Sequence, residues 1–589
     1  MAKELSFNVE VITNPSQEEL RELTLKHVPS VLTSAYNNLD KITRFKARKA
    51  QYTYIIADES EAGRYSSETI DPAKAEELIQ FQKKYIEDSG KLIAIETYLG
   101  LGDFAYPVRW YYSLESANLA GMQKTLTFPR ERVESPEQLA KPFETLFQLV
   151  FTAGCIPEDM PGKVAMLVDL ENFVTYVIGS DYFGESKKGA LRMLNEYVYR
   201  QGGLVMHAGA KIVKIGDEPP VTMTIMGLSG TGKTTTTFSK QGELTKPSQD
   251  DMVCFWEGGH VTVTENGCFA KTFGLTEETE PTIYRGTLDP SAWLENNFIN
   301  PDGTYDFSKK ELSPQDVERW RDILIETGAQ AENVDKYIKG EVKFEEVVDE
   351  LGIPADGWDF VMWTENGRSI IPMSAIKDAA DPQHLPPVGS MGILNRDEGD
   401  DAATPGIARF VCPEQAAGYF MLGETSKTSA AGKERGKTRS PFTQPFFPQT
   451  MGLQAERFSK LAATMKDVDL WIMNTGYIGG DARAEQEGRA LKVKIRHSSA
   501  MLEAMLAGKI VWKKDPDFGY EIADPDAPEN AELLKKVPAE ILEPRRFFKK
   551  EGRLDEYNAW VAKMKQERRA FLEKYDLEPE IMEAVCGGS

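Results

Sequence analysis

The run Gly227-Leu228-Ser229-Gly230-Thr231-Gly232-Lys233-Thr234-Thr235 follows a strand-like stretch, Val221–Met226, and leads into a helix-compatible segment. In that setting several backbone N–H groups turn inward and make a concave anion site at the start of a helix. Glycines let the backbone approach phosphates without a Cβ clash and accept positive φ. Lys233 can reach the β- and γ-phosphates, and the Thr234 hydroxyl can ligate the Mg2+ that accompanies a nucleotide. The chemistry is nucleoside triphosphate binding, which does not separate a kinase from a motor, a transporter ATPase or a GTPase. The other chemistry-bearing groups are ambiguous singly: Lys187-Lys188 reads as a solvated charge pair, and His207 as a core histidine.

The surrounding elements must position these groups. Residues 1–215 read as one unit. Helical stretches are expected around 17–50 and 73–90, with strands at Lys91–Glu96, Lys163–Val168 and Phe173–Ile178. After Gly184, Leu191, Leu194 and Val198 recur at helical spacing until Gly202-Gly203, and Leu204-Val205-Met206 is a short strand delivering His207. From Pro219 the pattern changes to a nucleotide-binding lobe, 216–589. Within it, residues 305–355 read as a helical insertion whose start is Ser313-Pro314-Gln315-Asp316. The stretches Asn395–Pro405 and Ser426–Arg439 read as loops.

At 589 residues, more than one core is expected. The net charge of -23 argues against nucleic-acid binding, which selects for clustered Lys and Arg, and requires a locally basic cleft for any anionic substrate. Five dispersed cysteines form neither a disulfide framework nor a zinc knuckle. The N-terminal residues lack the apolar run of a signal peptide, and no stretch has the ~20 apolar residues of a membrane span. A cytoplasmic location and no membrane partner are the expectation.

The wider set of motifs resembles the ATP-dependent phosphoenolpyruvate carboxykinases. The loop at 227–235 is similar to that family's kinase-1a loop, without the cysteine of the GTP-dependent branch. Tyr182-Phe183-Gly184-Glu185-Ser186-Lys187-Lys188 resembles YxGExKK, and Met206-His207 occupies the place of MHCSAN. Asp250-Asp251 is similar to the acidic metal-binding pair, and Glu265–Thr272 to EGGCYAKT. Asn366-Gly367-Arg368-Ser369 with Pro372 resembles NTRxxYP, and Asn474-Thr475-Gly476-Tyr477 resembles NTGW. Pro413-Glu414-Gln415, Thr425-Ser426-Lys427 and Glu434-Arg435-Gly436 lie in the order of the family's lid.

The resemblance implies an α/β, two-lobed fold with a P-loop-containing mononucleotide-binding lobe and a mobile lid loop at 425–440. It implies reversible conversion of oxaloacetate and ATP into phosphoenolpyruvate, CO2 and ADP, with catalytic Mn2+ and nucleotide-bound Mg2+. Carried over, the metal ligands are Lys188, His207 and Asp251, with Thr234 for the nucleotide's cation. Lys187, Lys233 and Arg368 surround the transferring phosphoryl group. Tyr182 and Arg64 meet the substrate carboxylate or CO2, with Arg368 also in contact with substrate.

The sequence departs from the pattern at three places. The segment Gly63-Arg64-Tyr65-Ser66-Ser67-Glu68 stands where GRSPKD is sought. The histidine motif continues Ala208-Gly209-Ala210, and the basic segment after Asn474-Thr475-Gly476 is lengthened over Asp481–Arg489, leaving Lys492, Arg496 and Ser498 as adenine-contact candidates. A kinase of the same fold acting on another small carboxylate, or a nucleotide-responsive regulatory homologue, is the alternative. Oligomeric state and the role of 305–355 stay open.

Overall fold

The structure is a computed structural model and describes residues 4–228, 230–350, 352–399, 401–427, 436–444 and 446–587. It is a mixed α/β protein of two compact units, each assembled from separated stretches of chain. The first combines Met1–Tyr197 with Thr264–Lys377, and the second combines Val198–Val263 with Asp378–Ser589. The sequence boundary at 215 therefore falls inside the second unit. Residues 264–377, assigned from sequence to the C-terminal lobe, cluster with the first.

In the first unit a nine-stranded sheet runs in the order Glu10–Thr13, Lys91–Leu99, Tyr106–Tyr112, Phe147–Thr152, Val174–Ile178, Ala165–Asp169, Thr53–Ile56 and Glu68–Ile70, with Phe128–Pro129 beside Lys91–Leu99. Phe147–Thr152 is buried at every position, as a strand covered on both faces must be. The helix Pro72–Ser89 has Asp71 as its cap, Pro72 in its first turn and left-handed Gly90 at its end, which fixes both termini. The long helical stretch expected over 17–50 is not formed. Its helix closes at His27, and Val31–Thr33 and Leu39–Lys41 are strands of a second, five-stranded sheet. Pro29 cannot continue a helix, and pairing of Leu39–Lys41 with Trp293–Glu295 outweighs local helical preference.

The helices Pro314–Glu326 and Ala331–Ile338 form within the expected insertion, and Ser313 and Asp316 make the reciprocal cap. Trp320 and Tyr337 pack into an apolar core that this region shares with Ile42, Phe298, Phe360 and Trp363 outside it.

In the second unit an eight-stranded sheet runs Leu244–Gln249, Ala208–Lys214, Val221–Gly227, Val388–Asn395, Asp469–Asn474, Ile407–Arg409, Glu521–Ala523 and Trp512–Lys514. Val221–Gly227, Val388–Asn395 and Asp469–Asn474 are parallel, so their carboxyl ends emerge on one edge. Gly392 faces Trp471 in register, and a Cβ at Gly392 would collide with the indole. The Trp471 Nε1–H donates to Ser390 Oγ at 2.8 Å. This pairing holds the middle of the parallel set at fixed register.

Candidate active site

The loop after Val221–Gly227 leaves the carboxyl edge of the parallel strands, where open α/β sheets bind their ligands. Gly230 and Gly232 have φ of 84° and 90°, and a Cβ at either would meet nothing within 4 Å. Glycine is required there by conformation, not by space. Ser229 lies outside the described residues. Gly232 caps the helix Lys233–Phe238, placing Lys233 and Thr234 in its first turn. Thr231 is buried and Thr235 half-buried in the same loop.

Two further features brace this loop. The Thr475 hydroxyl of the Asn474-Thr475-Gly476 segment donates to the Thr231 carbonyl at 2.7 Å. Lys211 Nζ donates to the carbonyls of Thr236 and Ser239, the latter at 3.1 Å, and to Gln241 Oε1. A lysine there complements the carboxyl end of the phosphate-loop helix, although burial pulls its pKa down to about 7. Lys492 Nζ donates to the Thr475 carbonyl at 3.2 Å and lies 4.1 Å from the centre of the Tyr477 ring. Burial, then Arg396, lowers its pKa to about 8. Of the adenine candidates, Lys492 is thus next to the phosphate loop, while Arg496 is exposed and Ser498 half-buried.

His207 follows Leu204–Met206 directly. Its Nε2 lies 2.8 Å from Asp251 Oδ1, and Lys233 Nζ lies 3.2 Å from the same oxygen. Its Nδ1 faces the Phe442 carbonyl at 3.2 Å, and Phe446 packs edge-on against the ring at 5.7 Å. A carbonyl on Nδ1 fixes the ring's orientation and directs Nε2 toward the carboxylate, the arrangement that imidazole ligands of metals share. One imidazole and one carboxylate suit a borderline or hard divalent cation. Among the described residues, no three or more His, Cys, Asp or Glu side chains gather into a metal cluster, so His207 and Asp251 stand as a pair.

The helix Phe183–Arg200, in the first unit as far as Tyr197, carries the two lysines. Both are buried, Lys187 at 1% and Lys188 at 7% exposure, which excludes a solvated charge pair. Lys187 Nζ is 2.9 Å from Glu265 Oε2 and 5.3 Å from the centre of the Phe269 ring. Tyr182, Phe183 and Arg368 also border Phe269, at 6.5, 5.5 and 5.5 Å. The structure therefore brings Tyr182, Lys187 and Arg368 together around one aromatic ring. The phenol of Tyr182 is shifted up, by burial first and against the pull of Arg368.

Several groups here were not singled out from sequence. Glu295 sits opposite Arg368 in register and is fully buried; its Oε1 accepts the Phe183 N–H at 2.9 Å, capping the lysine helix. Burial raises its pKa to about 8. Lys271 also pairs with Arg368 in register and is shifted down, by burial first and then by Arg368.

Arg64 is placed differently from the expectation of a carboxylate clamp. It ends a short 3-10 helix, its side chain is 70% exposed, and it pairs with Glu61 at 2.5 Å. Arg48 is a second arginine whose charge acts on Tyr182, after the larger pull of Arg368. Its loop is pinned by acids flanking that tyrosine: Asp181 accepts the N–H groups of Arg44 at 2.7 Å and Phe45 at 3.2 Å, and Glu185 that of Lys49 at 2.6 Å. A lone arginine without a glycine before it gave no motif signal.

The expected lid at 425–440 is described only at its ends. Glu424–Lys427 and Gly436–Arg439 pair as antiparallel strands, and residues 428–435 lie outside the described residues. Glu424 binds Arg439 and the buried Arg568, both at 2.8 Å, and its carboxyl is held well below the usual range by Arg568, against the burial penalty.

A family model described as phosphoenolpyruvate carboxykinase, of the ATP-dependent kind, matches residues 9–316 and 334–529. The unmatched 317–333 lies within the helical region that begins at Ser313. A protein of Afipia carboxidovorans named phosphoenolpyruvate carboxykinase (ATP) is 29% identical over 408 residues, covering 67% of this chain and 61% of that protein, so the match spans less than two thirds of that relative's length. Proteins of the same name from Bacillus pumilus and Brevibacillus brevis are 26% and 25% identical, with 91% and 92% of this chain and 89% and 90% of theirs aligned. The phosphate loop, the His207–Asp251 pair and the tyrosine–lysine–arginine group all fall inside the matched residues, and on that match the chain belongs to the ATP-dependent phosphoenolpyruvate carboxykinase family.

Proposed function

We propose that this enzyme converts oxaloacetate and ATP into phosphoenolpyruvate, CO2 and ADP, reversibly. The observation that carries the reading is the carboxylate of Asp251, which meets both His207 and the phosphate-loop lysine, Lys233. A carboxylate shared by a candidate metal ligand and the lysine assigned to the nucleotide's phosphates suits a reaction that joins decarboxylation to phosphoryl transfer.

Decarboxylation breaks a C–C bond and leaves its electron pair as the enolate of pyruvate. The enolate oxygen then attacks the γ-phosphorus in line, and the β–γ bridging oxygen leaves with ADP. Positioning and charge stabilisation supply most of the rate in such a transfer. Lys233 and the loop N–H groups of 227–235 hold the phosphates, Thr234 serves the nucleotide's Mg2+, and Lys187 and Arg368 supply positive charge. His207 and Asp251 would hold the catalytic cation, Mn2+ in this reading, and Lys188 keeps the ligand role that the resemblance implies. Lewis-acid stabilisation of the enolate is the chemistry a bound divalent cation contributes. Arg48, not Arg64, is the arginine we assign to the substrate carboxylate beside Tyr182. The lid that the resemblance implies at 425–440, of which 428–435 lie outside the described residues, would exclude water that otherwise protonates the enolate to pyruvate.

A coupled assay of the purified protein with oxaloacetate, ATP and Mn2+ tests this. Phosphoenolpyruvate formation at the rate of ATP consumption is expected. Retained ATP and Mn2+ binding with no phosphoenolpyruvate would overturn the reading.

A further inference from the structure

Lys211 lies on the strand Ala208–Lys214 and is completely buried. Counted from Met206-His207, it stands where the MHCSAN motif ends in asparagine. Gly209, two residues earlier on the same face of the strand, lets the helix Lys233–Phe238 come close, since a Cβ there would lie 2.2 Å from Thr237 Oγ1. Lys211 Nζ then meets three oxygens at the far end of that helix: the carbonyls of Thr236 and Ser239, and Oε1 of Gln241. Gln241 is itself tied down. Its Nε2 donates to Ser239 Oγ at 2.8 Å, and that hydroxyl donates to the Thr236 carbonyl at 2.9 Å.

A helix of six residues makes few hydrogen bonds of its own, and its last carbonyls need donors from outside. An ammonium has three donors for these three acceptors, whereas a neutral amine has two and turns a lone pair against an oxygen. The motif's asparagine would offer two donors on a shorter stem, and no charge at any pH. Burial is the one cause of the lowered Lys211 pKa, about 7. The ionisable groups on its own strand and on the elements packed around it are Lys214, Lys233, Lys246 and Cys254, with the exposed Lys240 and Glu243 on the turn after the helix. None of these is among the groups that shift it.

We propose that Lys211 is a positioning residue for the nucleotide: its ammonium fastens the far end of the phosphate-loop helix, and so fixes the setting of Lys233 and the loop N–H groups at the near end. This rests on the reading that the loop at 227–235 holds a nucleoside triphosphate, and it adds that the grip depends on one buried proton. Nucleotide affinity is then greatest while the ammonium is charged, and falls as pH rises through about 7. An asparagine at this position has no such dependence.

The test uses the full chain with Lys211→Met, which keeps the stem without its donors, and Lys211→Asn, which offers two donors without a titrating group. MgATP binding is measured by calorimetry at about pH 6 and about pH 8.5, with Mg2+ in excess so that the nucleotide's own charge stays constant. The parent should bind about tenfold more tightly at the lower pH, the scale of one charged hydrogen bond. Both variants should lose that difference, and Lys211→Met should bind about tenfold more weakly than the parent at the lower pH. By coupled assay the ATP KM should follow, with the oxaloacetate KM within about twofold. A parent indifferent to pH, Lys211→Met with the parent's affinity at the lower pH, or either variant with the parent's pH dependence would each overturn the assignment. If Lys211→Met fails to fold, Lys211→Asn decides by its pH dependence. If the parent binds no MgATP, the functional reading fails, and amide exchange still decides on Lys211. The Thr236 and Ser239 N–H groups, bonded to the carbonyls of Gly232 and Thr235, should exchange about tenfold faster in Lys211→Met, and unchanged rates would overturn the brace.

Discussion

His207 and Lys233 share one oxygen: Asp251 Oδ1 lies 2.8 Å from the imidazole Nε2 and 3.2 Å from the ammonium Nζ. Removing that charge should affect both neighbours. Asp251→Asn is expected to lower kcat by about a hundredfold or more, the scale of lost electrostatic stabilisation at a reacting centre, and to weaken Mn2+ activation. Initial rates across a Mn2+ titration check this; an unchanged activation curve would remove Asp251 from the metal's ligands.

Lys187 and Glu265 form an ion pair at 2.9 Å with side chains 0% and 1% exposed. Removing one partner takes the ion pair from a charge held in a dry site, which costs about 3–5 kcal/mol. Glu265→Gln should therefore unfold at clearly lower urea concentration, read by circular dichroism. An unmoved midpoint would mean that other groups carry the compensation.

Glu295 gives a pH dependence of definite sign. Burial lifts its pKa from the ordinary 4.5 to about 8. Between those values the folded chain holds a proton that the unfolded chain has released. Its contribution is thus complete below about pH 4.5 and lost as pH rises through about 8, at up to ~1.4 kcal/mol per pH unit. Glu295→Gln keeps an acceptor for the Phe183 N–H and should flatten stability over that window. A variant with the same pH slope as the parent contradicts the assignment.

The two arginines are separable by kinetics. Arg48→Ala should raise the oxaloacetate KM or lower kcat by about a hundredfold, as expected for a lost charged hydrogen-bonding partner at ~2–3 kcal/mol. Arg64→Ala, at an exposed pair with Glu61 worth little in stability, should stay within about twofold. The reverse ranking would restore Arg64 as the carboxylate clamp.

Legibility from sequence followed the locality of each signal. The phosphate loop, the cap at Ser313 and the strand before His207 depend on near neighbours, and the chain states them directly. The failed helix beyond His27 shows the converse, since Leu39–Lys41 becomes a strand only through pairing with Trp293–Glu295, far away in sequence. Glu295 and Lys211 were invisible for the same reason. A buried acid and a buried ammonium acquire chemical character from what surrounds them, and spacing in the chain does not encode that. A preceding glycine marks Arg64 in the sequence, whereas the acids at 181 and 185 that pin the Arg48 loop lie more than a hundred residues further on.

Because neither unit is continuous in sequence, the order of synthesis constrains the order of folding. The strand Arg368–Pro372, which pairs with both Gly267–Lys271 and Trp293–Glu295, reaches the first unit only when most of its chain has emerged. Val221–Gly227 must likewise wait for Val388–Asn395 as its parallel neighbour. Nascent chains shorter than about this length present an incomplete sheet edge, the kind of surface that recruits chaperones or aggregates. The loop at 227–235 is therefore among the later parts to reach its final setting, and a nucleotide held there, as proposed, would stabilise only a nearly finished molecule.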